Sequence, residues 1–92
     1  MISIVAKFTV NKGDEEKFLN LVNELGEASR AEDGCIEYIL HKDVKKELTY
    51  CIIEKWKDQD AIDIHDNSPH FTSLVPQITK ITQAEVDIYK PV

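Results

Sequence analysis

"CIEYILHKDVKKELTYCIIEKW", residues 35–56, holds two β-rich runs, 35–43 and 48–56, on either side of the polar Val44-Lys45-Lys46-Glu47. Two such runs around a short polar segment predict a β-hairpin with a loop of several residues. Upstream, "ISIVAKFTV" (2–10) alternates Ile2, Ile4, Ala6, Phe8 and Val10 with Ser3, Val5, Lys7 and Thr9, the period of a strand. Between that strand and the hairpin, Asp14, Glu15 and Glu16 suit a helix N-terminus, and Phe18, Leu21, Val22, Leu25 and Ala28 recur at helical spacing. A helix is expected from Asp14 to Arg30 or Ala31, ended by Glu32-Asp33-Gly34, with Gly34 supplying the backbone freedom for a sharp exit.

Downstream, Asp58 caps a short helix with Ala61, Ile62, Ile64 and His65 on one side, and Ser68-Pro69 opens another as cap and first-turn residue. Phe71, Leu74, Val75 and Ile78 form its apolar stripe, which Pro76 is expected to kink or interrupt. "AEVDIYKP" (84–91) reads as a last strand. The order is βαββαβ, an α+β, ferredoxin-like fold with a four-stranded antiparallel sheet, and residues 1–92 are expected to form one domain. Helices cover one face of such a sheet. The other face is not uniformly polar, because Cys51 and Ile53 oppose Tyr50 and Ile52, and Val5 and Ile39 add further apolar groups. A homodimer packed sheet against sheet is therefore expected.

Seventeen acidic and eleven basic residues give a formal charge of −6, which argues against nucleic acid as a partner. No apolar run approaches the roughly 20 residues of a membrane-spanning helix, and "MISIVAKF" lacks the plan of a secretion signal, so no membrane association and a cytoplasmic location are expected. Cys35 and Cys51 lack metal or redox spacing and read as buried free thiols. His65 and His70, five apart, point away from each other on a helix, and no metal site is expected.

His65 follows Ala61 and Ile62 on the side facing the sheet, where its ring needs a partner. Glu54 shares a strand face with Ile52 and Trp56, and Tyr38, with Ile36 and Leu40, joins that face if the hairpin register allows. Glu54, His65, Tyr38 and Trp56 then line an apolar pocket with a few polar groups, the usual makeup of a small-molecule site. A lone histidine on an apolar face is more often a hydrogen-bonded core residue, and Arg30 with Glu32 reads locally as a loop ion pair.

Together, "SRAEDGCIEYILHKD" and "IEKWKDQDAIDIHDNSPHF" resemble the antibiotic biosynthesis monooxygenase family, in particular its small quinol-monooxygenase-like members. The matching positions are Arg30, Glu32, Gly34, Cys35 and Tyr38, then Glu54, Trp56, His65, Ser68, His70 and Phe71. The resemblance implies a dimeric α+β barrel and oxidation of a quinol or polycyclic phenol by molecular oxygen without cofactor or metal. It makes His65 the candidate general base, since imidazole titrates near neutrality, with Glu54 orienting it or holding its charge. Tyr38, Trp56 and Phe71 become aromatic walls, His70 supports the rim or packs at the dimer edge, and Arg30 is a further substrate-binding candidate. The same frame is similar to that of a quorum-signal-processing isomerase, which shifts protons on a small phosphorylated ketone. That substrate would want converging cations, for which Arg30, Lys17 and Lys55 are the candidates near the motifs. A non-catalytic ligand-binding dimer is the third reading.

Overall fold

The computed structural model describes all 92 residues. Strand β1 (Ile2–Val10) leads to helix α1 (Glu15–Arg30), hairpin strands β2 (Cys35–Lys42) and β3 (Thr49–Trp56), helices α2 (Gln59–Asp66) and α3 (Pro69–Lys80), and β4 (Thr82–Tyr89). The strands lie in the order β2-β3-β1-β4 with every neighbouring pair antiparallel, so the ferredoxin-like βαββαβ arrangement is the observed one. At the hairpin tip, Asp43 Oδ1 accepts the backbone N–H groups of Lys45 and Lys46, at 2.8 and 3.0 Å. The side chain of Asp58 likewise caps α2 by accepting Ala61 N–H at 2.9 Å.

The helices pack on the even-numbered residues of β1 and β3, where Ile4, Ala6, Phe8, Tyr50, Ile52 and Trp56 are buried with Phe18, Val22 and Leu25 of α1 and Leu74 and Ile78 of α3. On the opposite face Ile39, Ile53 and Val5 stand in register as one row across β2, β3 and β1. Ile39 is 45 % exposed, and the ion pairs Lys55–Glu37 and Lys7–Asp87 flank the row.

Several local expectations are corrected. A bulge between Cys35 and Glu37 changes the register, so Cys35 pairs with Trp56 while Tyr38 pairs with Glu54. The extra residue turns Ile36 outward, where it is exposed, and lets Cys35 and Tyr38, of opposite parity, both face the helices. Both thiols are half-buried and unpaired. Gly34 does not occupy the left-handed region; a Cβ there would lie 2.3 Å from Ala61 Cβ, so its role is close approach of α2. Ile64 is exposed, as its 200° rotation from Ile62 requires. Pro76 does not interrupt α3: it sits on the solvent side, and the carbonyl it leaves without an amide donor belongs to exposed Thr72.

Candidate functional site

Between the helices and the sheet lies a cavity of about 270 Å³, most of whose lining is apolar. Ile4, Ala6, Ile52 and Tyr38 form its floor, Ile62, Phe71, Val75 and Ile78 its helical wall. Val86 and Ile88 of the edge strand complete it, and they remain 57 % and 62 % exposed. The polar lining residues are Glu54, His65, Asp66 and Thr79; no Lys or Arg lines the cavity.

His65 is held on every side. Its ring stacks on Trp56 with centroids 4.3 Å apart and meets the edges of Phe71 and Tyr38 at 5.1 and 5.9 Å. Nδ1 lies 2.6 Å from Glu32 Oε2, and Nε2 of His70 lies 2.9 Å from the same oxygen. A carboxylate only accepts, so the facing nitrogen of each ring carries the proton, and Nε2 of His65 is left without a protein partner. The two histidines converge because they belong to different helices. α2 ends at Asp66 and α3 starts at Pro69, so the five-residue spacing does not run along one helix. Ser68 makes the joint: its hydroxyl donates to His65 O at 2.7 Å and accepts Phe71 N–H at 3.2 Å.

Glu54 makes no hydrogen bond to His65. Lying two residues from Trp56 on one strand face, it accepts Trp56 Nε1–H at 2.9 Å. Burial pushes the Glu54 carboxyl up to about 7 against the pull of that N–H, and the Asp66 and Glu32 carboxylates push the same way. Burial also raises the Asp66 carboxyl, opposed by His65. The Tyr38 phenol is raised by burial first and by the Glu54 carboxylate second.

The remaining candidates separate. Phe71 and Tyr38 line the cavity, while Trp56 lies behind His65 and His70 lies beyond Glu32. Arg30 makes no ion pair with Glu32: Glu32 turns toward the histidines, and Arg30 Nη1 donates to Tyr38 O at 2.8 Å. Its guanidinium lines a separate groove between α1 and β2. Lys55 lies on the far face of the sheet with Glu37, and Lys17 is exposed on α1. Glu32 and Asp66 join the site although neither stands out in its local sequence. Nothing near Glu32 in sequence announces partners 33 and 38 residues away, and its place in the resemblance pattern was the available signal.

Residues 1–77 match the family model described as antibiotic biosynthesis monooxygenase. The chain belongs to the antibiotic biosynthesis monooxygenase family. It is 33% identical over 90 residues to YcnE of Bacillus subtilis, covering 98% of this chain and 95% of that protein, whose monooxygenase name is itself provisional. A crystal structure described as an antibiotic biosynthesis monooxygenase superposes with a TM-score of 0.93 at 33% identity, covering 100% of this chain and 99% of the other. A conserved protein from Methanosarcina mazei reaches 0.95 at 30% identity, over 99% and 92% of the two chains. SnoaB of Streptomyces nogalater, described as a cofactor-independent oxygenase, shares the fold at a TM-score of 0.88 and 19% identity, over 98% and 91%. No helix of this family member is long and apolar enough to cross a membrane.

Proposed function

We propose that this family member oxidises a quinol or polycyclic phenol with molecular oxygen, without a cofactor, as a single-domain homodimer, and that His65 is the general base. The observation that carries the reading is the lone His65 Nε2 of a fixed imidazole lining an apolar cavity. The phenolic O–H gives its proton to Nε2, and Glu32 at Nδ1 stabilises the imidazolium and holds the ring. The resulting anion gives an electron to oxygen. Transfer of the second electron and second proton, with return of the first proton, yields quinone and hydrogen peroxide, or recombination at carbon and protonation give a hydroperoxide that loses water. Glu54 and Asp66, with raised carboxyls, are the candidates to return a proton to the reduced oxygen. The row Ile39-Ile53-Val5 supports dimerisation through the uncovered sheet face.

The isomerase reading loses support because its phosphorylated substrate needs cations, whereas the charged or chargeable lining groups are Glu54, Asp66 and His65. Fluorescence of Trp56, the single tryptophan, tests the difference. A neutral dihydroxynaphthalene should change the emission saturably and its sulfonated counterpart at least about tenfold more weakly, since one unmatched charge readily costs the roughly 1.4 kcal/mol of a decade in affinity. Equal or tighter binding of the sulfonate would contradict the proposed specificity.

A further inference from the structure

We propose that Glu32, His65 and His70 form a binding site for a zinc-type divalent ion, whose occupancy switches off His65 as a base. His65 Nδ1, His70 Nε2 and a Glu32 carboxylate oxygen lie within 4.8 Å of one another. Two imidazoles and one carboxylate are the protein ligands of an open zinc site, in which water takes the fourth position. Tetrahedral ligands stand about 3.3 Å apart for bonds of about 2.0–2.1 Å, so the 2.6 and 2.9 Å contacts to Glu32 must open by a few tenths of an ångström, and the two histidine nitrogens, within 4.8 Å of each other, must come to the same spacing.

The donors are held in advance. Glu32 N–H donates to Ser29 O, and Glu32 O accepts Cys35 N–H, both at 3.1 Å, which fixes the backbone of the turn. His65 is clamped against Trp56, and His70 sits in the first turn of α3, anchored by the Ser68 cap. A second observation points to a ligand: Glu32 Oε1 is buried and has no hydrogen-bond partner, a costly state that a cation or its bound water would relieve. The His70 side chain is 20% exposed, which gives an ion a way in.

Proton placement gives the site its consequence. In the metal-free state Nδ1 of His65 carries the proton and Nε2 is the lone-pair nitrogen. A metal at Nδ1 requires that lone pair, so the proton of a neutral imidazole moves to Nε2, which becomes a donor. This inhibitory step rests on the reading of His65 as the base; binding itself does not.

The test is calorimetric titration of the chelator-treated full chain with zinc ion, alongside nitrogen–proton correlation spectra of the histidine rings. One ion per chain is expected, with the His65 proton on Nδ1 before and Nε2 after loading. His70→Ala and Glu32→Gln should each weaken binding at least about tenfold, while His41→Ala, which removes an exposed histidine far from the site, should not. Circular dichroism checks each variant's fold, and His70→Gln replaces His70→Ala if needed. No saturable binding, equal affinity in the His70 and Glu32 variants, or loss only with His41→Ala would overturn the site. Oxygen uptake with a naphthohydroquinone should fall toward the blank on zinc loading and recover with chelator; uptake unchanged in the loaded protein would overturn the switch, whereas failure of the oxidation reading leaves the binding result intact.

Discussion

Replacing Glu54 by Gln removes a charge from the cavity floor, and the effect should appear as a change in how stability depends on pH. The carboxyl rises from an ordinary 4.5 to about 7 in the folded chain, chiefly through burial. At about 1.4 kcal/mol per tenfold change in proton affinity, that displacement corresponds to about 3 kcal/mol. Because the folded value is the higher one, protonation favours the folded state. The associated stability is fully present below about 4.5 and lost as pH rises through about 7. Urea unfolding of wild type and Glu54→Gln at several pH values from 4 to 8, followed by circular dichroism, isolates this contribution, since the other titrating groups are common to both chains. The variant should gain on wild type by about 3 kcal/mol between pH 4.5 and 8, whatever constant offset the amide introduces. A difference flat to within about 0.5 kcal/mol, or a gain for wild type with rising pH, would refute a desolvated Glu54.

Three further outcomes follow from single contacts. Glu32→Gln should lower kcat for quinol oxidation at least about tenfold, with a smaller effect on KM, because it leaves the imidazolium uncompensated; steady-state oxygen uptake measures it. Gly34→Ala should destabilise the fold by about 1–3 kcal/mol in urea unfolding, because the new methyl meets Ala61 Cβ at 2.3 Å; unchanged stability would mean that α2 moves freely. Ser68→Ala should cost about 1–2 kcal/mol, since it removes both the cap of α3 and the bond to His65 O.

The strand and helix order was legible because it follows from local patterns: alternation in 2–10, the polar break at 44–47, and the Asp58 and Ser68 caps. Less legible was whatever depends on one inserted residue or on distant meetings. The bulge at Ile36 leaves no local mark, yet it decides which residues of β2 reach the cavity. Gly34 has the sequence context of a turn glycine, and nothing in that context shows Ala61 pressing against it. Ser68-Pro69 marks a helix restart within 65–71, but the restart also removes the rotation that separates two histidines on one helix, which is why His65 and His70 meet at Glu32. Glu54 and Glu32 illustrate the same limit: strand parity placed Glu54 on the cavity face, whereas only the fold could assign His65 to Glu32.

Proton abstraction by His65 followed by direct reaction with oxygen is the chemistry proposed for this site. Its most direct test is oxygen uptake by metal-free protein with a simple naphthohydroquinone, with wild type and His65→Ala side by side against the spontaneous autoxidation blank. Wild type should accelerate uptake well above the blank, and the variant should lose about 100-fold or more of that acceleration, the scale of general-base catalysis. A variant as fast as wild type, or wild type no faster than the blank across several hydroquinones, would contradict it.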